Sequence, residues 1–142
     1  MRKITTLQDN NNKQIITISN STKKRILIVD DEPDITLTFK IVLESTELYD
    51  VHTFNEPLKA LANFKAHLYD LVISDIKMPK MNGYEFGQSV KQIDDDIKIC
   101  FLTASEDYYC SIIDYKQRRA EYFIRKPIGI EEFTKQMNSI LQ

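Results

Sequence analysis

Four apolar stretches, each followed directly by a reactive polar residue, constrain this chain more than any other feature of its sequence. Each stretch has the length and composition of a buried strand. They are Ile26–Val29 before Asp30 and Asp31, Leu71–Ser74 before Asp75, Ile99–Leu102 before Thr103, and Tyr122–Arg125 before Lys126. If these are neighbouring parallel strands, three carboxylates, a hydroxyl and an ammonium meet at one edge of the sheet. That set favours a site for a divalent cation and a phosphoryl group.

Strands and helices alternate from Lys24 to the C-terminus. A further strand is predicted over residues 49–54, and apolar residues at helical spacing predict one helix after each of the five strands. This alternation, with right-handed crossovers, predicts an α/β fold: a doubly wound, five-stranded parallel sheet flanked by five helices. Ligands bind such sheets in the crevice where the strand order reverses. Alternation alone does not predict the strand order.

The first 24 residues differ in composition from the rest of the chain. They are rich in Asn, Thr, Ser and Lys, and only the run Ile15–Ile18 is typical of a strand. We therefore expect a polar, loosely ordered extension at residues 1–24 and one globular domain at residues 25–142. The extension is either a plain tail or a docking strand for a partner.

Composition argues against several classes of protein. With 142 residues, 42% of them hydrophobic, the chain can form a core without disulfides, and its net charge of −2 provides no broad basic surface for nucleic acid. Cys100 and Cys110 lack the spacing of a metal clip and indicate reduced thiols. We find neither a signal-peptide pattern nor an apolar stretch that could cross a bilayer, so we expect a cytoplasmic protein.

The polar strand ends and the residues around them resemble the receiver domain of two-component response regulators. The similarity runs from about Lys24 to the C-terminus. Four blocks carry it, in the same order and at similar spacing: Ile28–Pro33, Ser74–Pro79 with Asn82-Gly83, Leu102–Ala104, and Phe123–Pro127. The resemblance implies a flavodoxin-like sheet whose five strands are ordered 2-1-3-4-5.

The resemblance also implies a phosphoacceptor and a metal site. Asp75 would become phosphorylated, Asp31 and Asp75 would bind Mg²⁺ together with the main-chain carbonyl of Lys77, and Asp30 would act mainly through a bound water. Elementary electrostatics agrees with these roles. An anionic carboxylate that attacks an anionic phosphoryl group meets repulsion, and a bridging Mg²⁺ reduces it.

Three further residues take roles from the same resemblance. Thr103 and Lys126 would hold the phosphoryl oxygens, and Thr103 and Phe123 would form a switch. Movement of the Thr103 hydroxyl toward the new oxygens would open space that the Phe123 ring occupies in another rotamer, which biases an existing equilibrium. The protein would catalyse only its own phosphorylation and dephosphorylation.

The expected partners also follow from the resemblance. A sensor histidine kinase or a phosphotransfer protein would donate the phosphoryl group, and an unknown protein would receive the signal, without direct contact with nucleic acid or membrane. The helix predicted after Thr103, which carries Tyr108 and Ile112, and the fifth strand form a candidate surface for a homodimer. Residues 127–142 leave room for one helix after Lys126, so we expect a stand-alone regulator like those of chemotaxis, or a receiver excised from a longer protein.

Other interpretations of the same residues stay open at this point. Acidic pairs often belong to loops or helix caps, Thr103 could cap a helix, Lys126 could be a surface lysine, and Phe123 could be plain core. A Mg²⁺-dependent phosphatase or nuclease would also place acids on strand ends, but it would need a second acid or a base near Asp75 that the sequence lacks. A degenerate receiver that signals without phosphate is disfavoured by the complete acidic set.

Overall fold

Parallel pairing brings the apolar stretches of the sequence into one sheet. The computed structural model of the protein describes residues 3–8, 10–12, 14–19, 23–104 and 122–142. Its strands are β1 (Lys3–Gln8), β2 (Gln14–Ser19), β3 (Lys24–Val29), β4 (Tyr49–Phe54), β5 (Leu71–Asp75), β6 (Lys98–Thr103) and β7 (Tyr122–Arg125). The five strands from β3 onward are all parallel and lie in the order β4-β3-β5-β6-β7. Counted from β3, this is the expected order 2-1-3-4-5, and the predicted fold class is confirmed.

Four helices occur within the described ranges: α1 (Pro33–Glu44), α2 (Pro57–Asn63), α3 (Gly83–Ile93) and α4 (Ile130–Leu141). Proline begins both α1 and α2, where its fixed φ angle suits the first turn and its missing N–H is not needed. The Asn82 side chain caps α3 by accepting a hydrogen bond from the Glu85 N–H at 2.9 Å. The helix predicted after Thr103, with its homodimer surface, lies at residues 105–121, outside the described part of the chain. Among the described residues, no helix is both long and apolar enough to span a membrane.

Helices cover both faces of the five-stranded sheet. On one face, Ile26 and Ile28 of β3 belong to a buried cluster that also contains Phe133 and Met137 of α4. On the other face, β3 packs through Leu27 and Val29 in a cluster that also contains residues of α2 and α3. Because alternate residues of a strand point to opposite faces, a central strand buried on both sides must be apolar at every position. This requirement explains the continuous run from Ile26 to Val29.

The N-terminal residues form a second, two-stranded sheet. β1 and β2 pair in antiparallel register, from Lys3 opposite Ser19 to Gln8 opposite Gln14. Sequence analysis marked only the second of these strands as β-like and missed the first, because its Thr and Gln residues weaken the apolar pattern. The expectation of a loosely ordered extension stays a prediction.

Main-chain hydrogen bonds continue beyond the ends of the strands at the C-terminal edge of the sheet. The Asp30 N–H donates to the Phe54 carbonyl at 3.2 Å, and the Lys126 N–H donates to the Thr103 carbonyl at 2.7 Å. These bonds extend the parallel ladders by one residue past β3 and β7. The polar residues that follow the strands are therefore attached to the sheet itself, not to free loops.

The loop between β5 and α3 closes tightly over the end of β5. Its Gly83 N–H donates to the Ile76 carbonyl at 2.8 Å, and a Cβ atom added at Gly83 would lie 2.1 Å from the Asp75 carbonyl oxygen. No side chain fits at that distance, so a glycine is required by close approach of two backbone segments. The same contact holds the backbone of Asp75 against the start of α3.

We expect Gly83→Ala to lower the free energy of unfolding by about 2–4 kcal/mol, because the new methyl group can be accommodated only by moving backbone. Urea unfolding followed by circular dichroism measures the loss. Gly129→Ala is the matched control, since a Cβ there meets nothing within 4 Å, and it should change stability by less than about 1 kcal/mol. Equal effects of the two substitutions would contradict the close-approach explanation.

Candidate functional site

Three carboxylates converge at the C-terminal edge of the sheet. Asp30 and Asp31 directly follow β3, and Asp75 is the last residue of the adjacent β5. Oxygen atoms from the three side chains all lie within 4.8 Å of one another. Asp30 and Asp75 are buried, and Asp31 is the least buried of the three. Carboxylate oxygens at this spacing can share one hard divalent cation, and the chemistry of the set fits Mg²⁺.

Both carboxylate oxygens of Asp30 have hydrogen-bond partners. Its side chain is completely buried, one carboxylate oxygen accepts the Glu32 N–H at 3.0 Å, and the other accepts the Lys126 ammonium at 2.9 Å. A buried carboxylate requires such partners to offset its lost hydration. Both carboxylate oxygens of Asp30 therefore already accept hydrogen bonds. Asp31 is more exposed than Asp30.

Asp75 combines burial with a nearby like charge. The pKa of its carboxyl group is raised to about 6, mainly by burial and secondarily by the negative charge of Asp30. The ammonium of Lys126, 3.4 Å from Oδ1, and the N–H of Ile76, 3.0 Å from the same oxygen, act in the opposite direction. Since any added cation would favour the ionised form, the carboxylate is suited to cation binding.

Lys126 is the positive charge of the site. Its ammonium lies 2.9 Å from Asp30 and 3.4 Å from Asp75, with 18% of its side chain exposed. Burial lowers the pKa of this amine, but the hydrogen bond and charge of Asp30, with the weaker contribution of Asp75, outweigh that effect and leave the pKa raised. Lys126 therefore stays protonated at neutral pH and lies between two of the acids.

Thr103 and Phe123 belong to β6 and β7, the two strands that follow β5 across the sheet. Thr103 ends β6 with 2% of its surface exposed, one residue beyond Leu102, which pairs with Asp75. Phe123 pairs with Phe101 on the neighbouring strand, and the two ring centroids are 5.7 Å apart. By strand alternation, the side chains at 101 and 103 share a face. The phenyl ring of Phe123 thus lies on the Thr103 side of the sheet, partly buried against another aromatic ring.

The structure brings together the acids and the lysine, which the sequence places at three different strand ends. The role of the Lys77 main-chain carbonyl in metal binding stays a prediction, as do the contacts of Thr103 with a phosphoryl group and the rotation of Phe123.

Sequence analysis missed Asn55, whose side-chain amide donates to the Asp30 carbonyl oxygen at 2.9 Å and to the Thr36 hydroxyl at 3.0 Å. One available signal was its place directly after β4, at the same edge of the sheet as the acids.

Comparisons with known proteins agree with this geometry. Residues 26–138 match the sequence model of the response regulator receiver domain. The chain is 32% identical over 120 residues to the response regulator ArlR of Staphylococcus aureus, a match that covers 83% of this chain and 52% of that protein. The chain therefore spans about half the length of the curated relatives it matches.

Solved structures of receiver domains superpose well on this fold. The non-phosphorylated HemR receiver domain of Leptospira biflexa has a TM-score of 0.77 and 27% identity, covering 84% of this chain and 95% of that one. The chemotaxis protein CheY4 of Vibrio cholerae has a TM-score of 0.74 and 26% identity, covering 84% of this chain and all of that one. Both proteins are similar to this chain in fold and, more distantly, in sequence.

The raised pKa of Asp75 predicts how stability depends on pH without divalent cations. A carboxyl group with a pKa near 6 in the fold and 3.8 when unfolded costs free energy once ionised, so its penalty is absent below about pH 4 and complete above about pH 6. Asp75→Asn should therefore be more stable than wild type at pH 7.5, by roughly 1–2 kcal/mol after allowance for solvent screening.

Urea unfolding in EDTA at pH 4 and pH 7.5 tests this expectation, with the exposed Asp96→Asn as the control for loss of one surface charge. The advantage of the Asp75 variant should shrink toward zero at the lower pH. A variant that is less stable than wild type at pH 7.5 would show that ionised Asp75 does not strain the fold.

Proposed function

Because this chain belongs to the response regulator receiver family, we propose that it accepts a phosphoryl group on Asp75 and signals through a surface that phosphorylation alters. The donor is a phosphohistidine of a sensor histidine kinase or of a phosphotransfer protein. One observation carries the proposal: Asp75 lies at the sheet edge with two further aspartates on one side and a protonated lysine 3.4 Å away. A nucleophile, a cation site and an anion-binding group are thereby adjacent.

Mg²⁺ is the proposed cofactor. Asp31 and Asp75 would bind it directly together with the Lys77 main-chain carbonyl. Asp30 would act through water, an arrangement supported by the engagement of both its oxygens with Glu32 and Lys126. When bound, the ion would neutralise negative charge shared by carboxylate and phosphoryl oxygens and would align the two reactants.

The protein's own residues account for the transfer. The Asp75 carboxylate attacks phosphorus, a new O–P bond forms, and the P–N bond to the donor histidine breaks, with its electron pair returning to the imidazole nitrogen. After the transfer, the Lys126 ammonium can shift from Asp30 toward the phosphoryl oxygens while it remains charged. The Thr103 hydroxyl donates a hydrogen bond to a second phosphoryl oxygen.

Signalling follows from the shared face of Thr103 and Phe123. Movement of the hydroxyl toward the phosphoryl group would remove atoms from the space beside the Phe123 ring, which is already half-buried against Phe101. The ring can then adopt a more buried rotamer. Phosphorylation thereby shifts the population of two rotamers and changes the surface near β7.

The protein is, in this proposal, a cytoplasmic component of a phosphorelay and does not turn over an external substrate. Its chemistry is limited to gain and loss of its own phosphoryl group. Its output passes to a downstream protein through the altered surface, without direct contact with nucleic acid or membrane.

Phosphorylation by a small donor tests the acceptor. We expect wild type incubated with acetyl phosphate and Mg²⁺ to gain the mass of one phosphoryl group, and Asp75→Asn to gain none, because an amide is a poor nucleophile. Intact-mass spectrometry measures both, and the exposed Asp96→Asn should label like wild type. Repeated hydrolysis of a model phosphoester by the unlabelled protein would favour the phosphatase interpretation instead.

Substitution at Thr103 tests the switch separately from the chemistry. Thr103→Ala should still be phosphorylated on Asp75, but the NMR resonances of the Phe123 ring should no longer shift on phosphorylation, because the hydroxyl that moves is missing. Thr103→Ser retains the hydroxyl and should restore most of the shift. If Phe123 resonances respond equally in the alanine variant, the ring does not depend on Thr103.

A further inference from the structure

Asn55 connects three segments at the edge of the sheet. It follows β4, and its side-chain nitrogen donates to the Asp30 carbonyl oxygen and to the Thr36 hydroxyl of α1. The Thr36 hydroxyl in turn donates to the Pro33 carbonyl at 3.0 Å, and Thr36 is 3% exposed. The amide therefore joins the loop after β4 to the acidic loop and to the first turn of α1.

The hydrogen bond from Asn55 matters because its acceptor is the main-chain carbonyl of Asp30. The carbonyl of Asp30 belongs to the peptide unit that joins Asp30 to Asp31. A peptide unit is planar, so holding its oxygen fixes the direction in which the chain leaves toward Asp31. The Asp30 N–H is also held, by the Phe54 carbonyl at 3.2 Å. Asp30 is thus anchored through its N–H and both carboxylate oxygens, and Asn55 holds the following peptide unit by its oxygen atom.

We propose that Asn55 is a positioning residue for the cation site: its amide orients the peptide unit between Asp30 and Asp31 and so directs the Asp31 carboxylate toward Asp75. This inference rests on the proposed function, because it concerns the affinity of the Mg²⁺ site described there. Asp31 has the greatest need of such support, since it is the least buried of the three acids. Partners one step removed from a metal ligand commonly change affinity by about 10–100-fold when removed.

Asn55→Ala removes the donor and leaves every acid in place. We expect Mg²⁺ affinity, measured by isothermal titration calorimetry, to fall by about tenfold. In acetyl phosphate labelling, the Mg²⁺ concentration at half-maximal rate should rise by a similar factor, whereas the rate at saturating Mg²⁺ should stay near that of wild type. Such a separation of affinity from maximal rate distinguishes positioning from general damage to the site.

Two control variants separate positioning from stability. Asn63→Ala deletes another asparagine amide that donates to a backbone carbonyl, that of Lys59 at 2.8 Å, and should leave Mg²⁺ affinity unchanged. Thr36→Val removes the other acceptor of the Asn55 amide at nearly constant volume. It should lower the thermal midpoint measured in EDTA while changing Mg²⁺ affinity by less than about twofold. If Asn55→Ala does not fold, Asn55→Ser, whose shorter side chain cannot reach the carbonyl, takes its place.

The outcomes distinguish this inference from the function on which it rests. Tenfold weaker binding in the Asn55 variant alone supports the positioning role. Wild-type affinity in that variant, or an equal loss in Thr36→Val, overturns it and leaves the proposed function intact. A wild-type protein that binds no Mg²⁺ overturns the cation site itself, and the role of Asn55 falls with it.

Discussion

One partly buried ammonium shared by two carboxylates organises the acidic edge of the sheet. Lys126 follows β7, at one margin of the sheet, yet its side chain reaches Asp75 at the end of the central strand β5 and Asp30 after the next strand, β3. Three charged groups with little solvent are tolerated because each has a partner of opposite charge. The arrangement leaves one negative charge in excess even before Asp31 is counted, and this excess favours the cation binding that we propose.

The surrounding structure keeps these charges in place by backbone contacts. Ladder hydrogen bonds extend past β3 and β7, and the Ile76 N–H donates both to the Leu102 carbonyl and to the Asp75 carboxylate. Gly83 brings the start of α3 against the Asp75 carbonyl. Rigid elements position side chains more accurately than free loops do, and these backbone contacts tie the acids to such elements. Asn55 extends the same support to the peptide unit before Asp31.

A row of aromatic rings connects α3 with β7 on one face of the sheet. Side chains of Tyr84, Phe101 and Phe123 form a row of aromatic contacts, with ring centroids 5.0 and 5.7 Å apart, from the first turn of α3 across β6 to β7. Closely packed rings respond to displacement of a neighbour by changing rotamer more readily than by compressing.

The β1–β2 hairpin precedes residues 26–138, the range that matches the receiver family, and is an addition to that fold.

The sequence by itself determined the fold class, because strands buried on both faces read as nearly continuous apolar runs. It also showed which polar residues end or follow those runs. Strand β1 was not predicted because its Thr and Gln residues interrupt the apolar pattern that is typical of a strand. Only the tertiary structure decided that Lys126 lies closer to Asp30 than to Asp75, and that Asn55 holds a carbonyl 25 residues away. The resemblance to a known family gave the strand order, but these contacts also depend on strand register and side-chain conformation, which local sequence does not determine.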